Sequence, residues 1–435
     1  MRAAALMMAV LAGGAVAAVG VMAPDARAGT AVVGAGNEPA PTFAPSGRVV
    51  EVPADAPTIQ AGVDRARAGD LVLIAPGVYR EAVVVTTAGI VLRGVDRNRT
   101  ILDGQFRRQT GVKVMRADGV AIENLTVRDY KSNGLYWTGV HGYRASYVTS
   151  YRNGDYGVFA YDSQWGTFER SYASGSPDSG FYIGQCNPCH AVIDDVVAEH
   201  NQLGYSGTNS GGDLHIVQSR WRFNRAGIVP NSLDSEDLAP QGDADISANR
   251  ITESGSPTAR AASGNEGFDV VYGAGIAIIG GSNNVVRGNV VEDSGSIGVA
   301  IAPNPGLLGN ATYPATGNRI EGNTVTGSKV ADLGVVLPAD GDDNCFSGND
   351  VGTTAPVGLQ ALAPCGAAAT GVVAAAPGQL DLARFLDTSG HPRGVDYRRT
   401  PVPKRQPAMP NAKTAKAVPA GAPVVPAPES LRVPD

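Results

Sequence analysis

The chain has 435 residues, of which 17% are charged, with 56 glycines, few aromatic side chains and a formal net charge of −6. A chain of this length can bury a large core, and its glycine content favours a fold of tight turns and slim strands. The acidic balance provides no basic field for nucleic acid and therefore argues against that class of partner.

Residues 1–28 are predicted to be a secretory signal peptide. Arg2 is followed by an apolar run of small residues, and Ala26-Arg27-Ala28 matches the small-x-small rule for signal cleavage. No later stretch is long and apolar enough to cross a membrane. We therefore expect a monomer that is secreted or associated with the cell envelope, beginning with a flexible Gly/Pro/Ala-rich leader at residues 29–47.

Ordered structure is predicted to begin at residue 48 with a strand, a short helix and a second strand. Thr58 is placed to cap the helix, and Ile59, Val63 and Ala66 follow helical spacing. A helix at this point would cover the open end of a repetitive sheet, whose free strand edges otherwise invite aggregation.

The stretches TIQAGVDRARAGDLVLIAPGVYREAVVV and GIVLRGVDRNRTILDG resemble the start of pectin-lyase-like right-handed β-helix proteins. They are most similar to the pectin methylesterases and to the β-helix accessory proteins of nitrous oxide reductase maturation. The detailed resemblance covers Val49 to Gly104 and implies a fold rather than a function. The catalytic motifs of the methylesterases and the Asp-Pro-His-Asp motif of alginate epimerases are missing. The five histidines are too dispersed for the copper site that the accessory proteins suggest.

A glycine followed by an apolar residue recurs along the chain, mostly at intervals of 22 to 24 residues. This period, with short β-branched runs between Gly, Asn and Ser, is typical of a solenoid, and the skeleton of a leucine-rich repeat is missing. Residues 48–365 are therefore predicted to form an all-β parallel β-helix of about three strands per turn. One interval of 48 residues is either two turns or one turn with an insertion. The dipeptides begin at Gly89, Gly111, Gly134, Gly157, Gly180, Gly204, Gly227, Gly275, Gly298, Gly334 and Gly358.

Aligning the turns on these glycines suggests a pair of acids, because the column two residues before each glycine includes Asp155 and Asp178. Adjacent strands lie about 4.8 Å apart, so the two carboxylates could stack and either share a proton or bind Ca²⁺. Alternatively, each Asp is a turn residue that bonds to its own backbone. Further catalytic candidates on neighbouring turns are Asp162, Arg152 and His200.

Aromatic and polar residues after the glycines suggest a sugar groove, since ring faces stack on sugar CH groups and polar edges bind hydroxyls. In the alternative interpretation, Phe159 and Tyr182 alternate into the core. Asp234, Glu236 and Asp237, in an acidic stretch at residues 232–267, could edge the same groove. The predicted substrate-binding residues are Trp137, Tyr161, Tyr182, Gln185, Asn209, Asp213 and Asn231.

Four cysteines in an exported chain favour two disulfides, for which we predict the pairs Cys186–Cys189 and Cys345–Cys365. The sequence Cys186-Asn187-Pro188-Cys189-His190 also matches the attachment pattern of c-type haem or a redox pair, but no helix and pocket for a haem are apparent. We favour a structural disulfide there. Residues 366–435 are predicted to be an Ala/Pro-rich linker and a disordered tail.

Two functional hypotheses follow. The first is a β-helix protein that binds, and processes in a lyase- or epimerase-like way, a polysaccharide or cell-surface glycan along its middle turns. The second is a non-catalytic exported scaffold that binds a metal or a partner protein. Solvent-facing acids beside exposed aromatic rings would favour the first hypothesis, and buried rings on a featureless face would favour the second.

Overall fold

The structure, a computed structural model, describes residues 32–257, 266–306, 311–337, 343–368, 370–371 and 373–435. The predicted signal peptide and part of the acidic stretch, residues 258–265, lie outside the described residues. The described chain winds through three parallel sheets, here called sheets A, B and C in the order in which each turn visits them. The chain is a right-handed parallel β-helix, as the sequence predicts.

Sheet A is formed by the first strand of each turn. Its strands are Val49–Val52, Leu71–Ile74, Val91–Gly94, Val120–Glu123, His141–Ser146, Gln164–Glu169, Ala191–Asp194, Gly211–Val217, Gly242–Ser247, Val285–Arg287, Arg319–Glu321 and Cys345–Ser347. Sheet B follows with Gly77–Tyr79, Thr100–Asp103, Thr126–Arg128, Thr149–Tyr151, Tyr172–Ser174, Val197–Glu199, Arg220–Arg222, Arg250–Thr252, Val290–Glu292, Thr324–Thr326 and Asp350–Val351.

Sheet C closes each turn and carries the candidate site. Its strands are Val83–Val85, Val112–Met115, Leu135–Thr138, Val158–Tyr161, Ser179–Gly184, Leu203–Thr208, Ala226–Asn231, Ile276–Ile279, Ile297–Ala302, Ala331–Leu337 and Thr354–Ala355, with Leu380–Asp381 paired to Ala331–Leu337.

The predicted N-terminal helix is confirmed as Ile59–Arg65. The Thr58 hydroxyl accepts a hydrogen bond from the Ala61 amide at 3.1 Å, and the buried Ile59 and Val63 pack on the core at the first turn. The other helices of the described residues are short: α-helices Leu359–Leu362 and Leu382–Phe385, and 3-10 helices Val33–Ala35, Glu266–Val271, Val373–Ala375, Tyr397–Arg399 and Pro428–Ser430. None of these helices has the length and apolar character that a membrane crossing requires.

The repeated glycines stand one above another where sheet C begins. At Gly134, Gly157 and Gly204 a Cβ atom would lie 2.5–2.6 Å from the carbonyl oxygen of the next glycine in the column. The column therefore needs glycine for close approach of the main chain rather than for a positive φ. The strands after Gly227 and Gly275 pair directly, so the 48-residue interval is one turn with insertions. In three places the sequence alignment is wrong. Gly89 precedes a sheet A strand, Gly358 is the N-cap of the helix Leu359–Leu362, and Asp332, rather than Gly334, takes the column position above Gly298.

Two kinds of stacking fill the interior. Buried asparagines form a ladder in which each Nδ2 donates to the Oδ1 of the next, from Asn249 to Asn289 at 3.0 Å and on to Asn323 at 2.9 Å. A run of aromatic rings with centroids 5.6–6.2 Å apart fills the middle turns and consists of Trp137, Tyr143, Phe168, Phe181 and Trp221. These layers, together with Val, Ile and Leu, make one continuous core.

Both predicted disulfides are present. Cys345–Cys365 joins the last sheet A strand to the segment after Leu359–Leu362, and Cys186–Cys189 closes a tight turn before Ala191–Asp194. With Cys186 and Cys189 bonded to each other, neither sulfur is free for a thioether bond to haem.

The two segments predicted to be flexible or disordered lie against the β-helix. In the leader, the Gly34 amide donates to Asp162 at 2.8 Å, and the Phe43 ring lies beside Gly89 and Gly119. The tail, residues 400–435, has little regular structure but donates and accepts hydrogen bonds along sheet A and the turn that follows it.

Candidate functional site

Alternation along the sheet C strands decides which side chains face outward. In Val158–Tyr161, Val158 and Ala160 point into the core, while Phe159 and Tyr161 point out. Register pairing stacks one outward residue per turn into a column, which we call the outer column: Lys113, Tyr136, Phe159, Tyr182 and Ser206.

The aromatic rings of the outer column touch one another. The Tyr136 and Phe159 rings are stacked with centroids 4.7 Å apart, and Tyr156 stacks on the other side of Phe159 at 4.2 Å. Tyr182 meets Phe159 edge-on at 4.7 Å. The Lys113 ammonium lies 5.3 Å from the centre of the Tyr136 ring. Phe159 and Tyr156 are half-buried, so the ring surface is partly open to solvent.

Asp155 and Asp178 lie on consecutive turns, just before the sheet C strands Val158–Tyr161 and Ser179–Gly184. The Asp178 amide donates to the Asp155 carbonyl oxygen at 3.2 Å, and hydrogen bonding from the Tyr156 side chain favours the charged form of the Asp178 carboxyl. Burial raises the pKa of both carboxyls, and the charge of Asp178 raises that of Asp155 further. Because the charge of one carboxyl disfavours ionisation of the other, the two carboxyls titrate as a pair.

A third acid reaches the same face from the loop after Ala226–Asn231. Glu236 Oε1 accepts a 2.6 Å hydrogen bond from the Tyr182 hydroxyl, and Tyr182 is only 1% exposed. Burial, with the charges of Asp178 and Asp237, raises the pKa of Glu236 to about 8. The Tyr156 and Tyr182 rings lie 5.1 Å apart and connect Glu236 with the Asp155–Asp178 pair.

Asn209 holds the Glu236 loop in place. Its Nδ2 donates to the carbonyl oxygens of Leu233 at 2.6 Å and Glu236 at 2.7 Å, and its Oδ1 accepts from the Leu233 amide at 3.0 Å. Gln185 adds a second anchor, because its Oε1 accepts from the Asp237 amide at 3.0 Å and from the Tyr161 hydroxyl at 2.6 Å.

Several predicted residues therefore meet on the outer face of sheet C. Tyr161, Gln185 and Asn209 surround the Glu236 loop, and Asp162 is held at the same edge by the Gly34 amide, with its pKa raised by burial. Asn231 is fully buried beside them and accepts from Thr208 at 2.9 Å, so its role is to support the strand.

Other predicted residues lie elsewhere. Trp137 is 0% exposed in the core and donates to the Val120 carbonyl, so assigning it to the groove was wrong: the outward residue of that strand is Tyr136. Arg152 pairs with Asp129 at 2.8 Å, outside sheet B. His200 stacks on Phe223, and burial lowers its pKa.

Asp213 belongs to a separate cluster beside sheet A. It accepts from His190 at 2.8 Å and His215 at 3.0 Å, and although partial burial acts in the opposite direction, these bonds lower its pKa. The His190 ring stacks on Trp165 with centroids 3.9 Å apart.

Two residues of the site were not predicted. Tyr156 was missed because it lies between Asp155 and Gly157, outside the two columns that were aligned. Tyr136 was missed because its neighbour Trp137 was chosen instead. The signal for Tyr156 was its position directly after Asp155. Within the parts of the chain that the structure describes, no group of three or more His, Cys, Asp or Glu side chains is placed to hold a metal ion. A calcium ion at Asp155 and Asp178 would therefore take its remaining ligands from water or substrate.

The fold has counterparts among solved structures. The A-modules of the mannuronan C-5 epimerases AlgE4 and AlgE6 of Azotobacter vinelandii superpose with a TM-score of 0.50 each, at 17% and 18% sequence identity. The aligned region covers 67% of this chain in both cases, and 90% and 88% of the two modules. No protein-family model and no curated protein sequence matches the chain. The chain shares the right-handed parallel β-helix fold with these modules.

Proposed function

We propose that the chain is an exported protein that binds a polysaccharide on the outer face of sheet C and carries out acid–base chemistry on it. The observation that carries this proposal is the stacked pair Asp155 and Asp178, with raised pKa values, next to a partly open aromatic surface. Enzymes commonly transfer protons with acidic side chains whose pKa has been shifted towards neutral pH.

A half-protonated pair supplies both partners that a lyase-like reaction needs. One carboxylate of the pair takes the proton from the sugar carbon next to the uronate carboxyl group. The protonated partner, which lies on the same side of the sugar, then gives its proton to the leaving glycosidic oxygen, which breaks the chain; inversion would need a proton donor on the opposite face. The half-buried rings of Tyr156 and Phe159 offer a partly open apolar surface for an adjacent sugar ring.

Removing the proton from the sugar carbon requires a positive charge that neutralises the adjacent uronate carboxylate. Arg152 and Arg225 are already paired with Asp129 and Asp269, at 2.8 Å each, which leaves Lys113 as the cation of the outer column. Calcium bound by both Asp155 and Asp178 would require both carboxyls to be charged, so it would replace the shared proton instead of acting beside it. The names of the similar epimerase modules, which refer to a polyuronate, support a polysaccharide as the substrate class.

Export is part of the proposal. The signal-like residues 1–28 and the two disulfides support it, because disulfides persist in oxidising compartments. N-terminal sequencing of the protein recovered outside the cytoplasm would test it: a start at residue 29 is expected, and an uncleaved cytoplasmic chain would contradict it.

The deciding experiment measures turnover and binding of a panel of polyuronates and neutral glycans, with calcium and with a chelator. We expect Asp155→Asn and Asp178→Asn each to lower turnover by about 100-fold or more, because each removes one member of the proton-sharing pair. Asp195→Asn, at an exposed turn after a sheet A strand, is the matched control and should retain activity.

One observation favours the alternative of a non-catalytic scaffold. Asp178 is 3% exposed and Tyr182 1%, so much of the acid cluster lies under the surface and could serve only to hold the Glu236 loop. Absence of turnover and of binding across the whole glycan panel would support the scaffold and reject the enzyme.

A further inference from the structure

The outer face of sheet A carries a buried arginine that binds main chain. Arg93 is 0% exposed, and its Nε donates to Glu123 at 2.6 Å. Its two terminal nitrogens donate to three carbonyl oxygens of the C-terminal tail: Ala412 at 3.2 Å, Ala415 at 2.6 Å and Lys416 at 3.1 Å. One side chain thus binds three main-chain carbonyls at and just after a turn of the tail, in which the Thr414 and Ala415 amides donate to the Asn411 carbonyl oxygen.

Other contacts continue this arrangement on both sides of Arg93. Arg97 donates to the Pro407 carbonyl at 2.8 Å, and Asn98 both donates to and accepts from the Gln406 main chain at 2.9 Å. Asn124 accepts from the Met409 amide at 2.7 Å, and Arg144 donates to the Val418 carbonyl at 2.6 Å. All five side chains bind backbone groups, so they recognise the path of the tail's main chain rather than particular side chains.

An apolar strip completes the surface. Leu71, Leu73, Val91 and Ala121 point outward from sheet A and are covered by Ala417 and Ala420 of the tail. The Ala420 amide also donates to the Gly119 carbonyl at 2.9 Å. The small side chains of the tail allow its main chain to approach closely, so this strip selects against large residues at positions 417 and 420.

From these contacts we infer that the outer face of sheet A is a receptor groove for an Ala/Pro-rich polypeptide with a turn at the Arg93 contact, and that the tail of a second copy of this chain can occupy it. The tail leaves the body through residues 387–390, which are exposed and could carry it to a neighbouring molecule. Such a contact is head-to-tail rather than symmetric, so it would join copies in series. Within one molecule, the tethered tail competes at high effective concentration.

The test uses the full chain with a specific protease site inserted between Ser389 and Gly390. After cleavage, the fragment that begins at Gly390 should stay with the body in size-exclusion chromatography, and a fluorescent peptide of residues 401–435 should replace it. The uncut chain should bind this peptide at least about 100-fold more weakly, because its own tail fills the groove. Mixing cut protein with a differently tagged uncut chain should give a mixed complex.

Peptide variants make the test independent of the folding of the body. A peptide with Ala417→Leu and Ala420→Leu should bind about tenfold more weakly or worse, because the larger side chains cannot enter the covered strip. A peptide with Val424→Leu, at a position that is 86% exposed, is the matched control. Loss of the tail after cleavage from a body whose circular dichroism is unchanged, equal affinity of all three peptides, or peptide exchange without any mixed complex would overturn the inference.

Discussion

The Tyr182 hydroxyl donates a 2.6 Å hydrogen bond to Glu236 and so ties the middle of sheet C to the loop after Ala226–Asn231. This single contact brings the Glu236 carboxyl into the same buried region as Asp178. The site thus depends on an insertion in one turn folding back over the two turns before it, rather than on the repeat alone.

Folding stability should fall as the pH rises from about 4 to about 8. Glu236 has a pKa of about 8 in the folded chain, against about 4.3 for an ordinary glutamate. Between these values the folded chain holds a proton that the unfolded chain has lost, so the free energy of unfolding decreases with pH. The raised pKa of Asp178 acts in the same direction. Thermal melts of Glu236→Gln at pH 5 and pH 8 should differ less than those of the parent, and an unchanged difference would contradict the assignment.

Removing the Tyr182 hydroxyl should raise the pKa of Glu236 further. The hydrogen bond from Tyr182 favours the charged carboxylate, so Tyr182→Phe takes away a contribution that lowers the pKa. A carboxyl-carbon NMR titration should show an upward shift of about half a unit to one unit. Tyr136→Phe, in the same outer column, is the control and should leave the Glu236 titration where it is.

The asparagine ladder should be sensitive to single substitutions. In Asn289→Ala, the Asn249 side chain and amide lose their acceptor, and the Ile246 carbonyl loses its donor, all of them in the core. Buried polar groups left without partners cost about 2–4 kcal/mol here. Urea denaturation should show this loss, whereas Asn283→Gly, at an exposed position with positive φ, should change stability by less than about 0.5 kcal/mol.

Two glycines with positive φ allow the packing of the leader on the β-helix to be tested. A Cβ at Gly119 would lie 2.4 Å from the Phe43 ring, while a Cβ at Gly322 would have no neighbour within 4 Å. Gly322→Ala should cost only the backbone penalty of about 1 kcal/mol. Gly119→Ala should cost clearly more and release the leader, which faster hydrogen exchange at Gly34 and Gly36 would reveal. Equal effects of the two substitutions would mean that Phe43 does not hold the leader there.

The two disulfides should differ in their contribution to stability. Cys345 and Cys365 are 20 residues apart in sequence, and Cys186 and Cys189 only three. Chain-entropy estimates give about 3 kcal/mol for the longer loop and about 2 kcal/mol for the shorter one. The Cys345→Ser/Cys365→Ser double variant should also exchange faster along Ala331–Leu337, since it frees the last turn. Denaturation curves of this variant and of Cys186→Ser/Cys189→Ser show which disulfide contributes more to the free energy of unfolding.

The period of the sequence was enough to predict the winding, and aligning the turns on glycine was enough to place Asp155 and Asp178 next to each other on consecutive turns. Both succeed because a column in a β-helix is a direct consequence of register. The same alignment could not decide whether Tyr136 or Trp137 faces inward, because Leu135-Tyr136-Trp137 is apolar throughout and shows no alternation. The role of Asn209 was also out of reach, because its partners Leu233 and Glu236 lie in an insertion that has no counterpart in the other turns.

The contact between Arg93 and Ala415 spans 322 residues of sequence. Turns of a solenoid ordinarily touch only their neighbours, so such chains can fold from one end as they are made and fray from either end. Here the apolar strip on the first turns stays uncovered until residues 417–420 have been synthesised. The final docking step therefore has a very high sequence separation and should be slow. Once the tail has docked, the first turns and the tail should unfold together. The β-helix should then unfold more cooperatively than a solenoid whose turns contact only their neighbours.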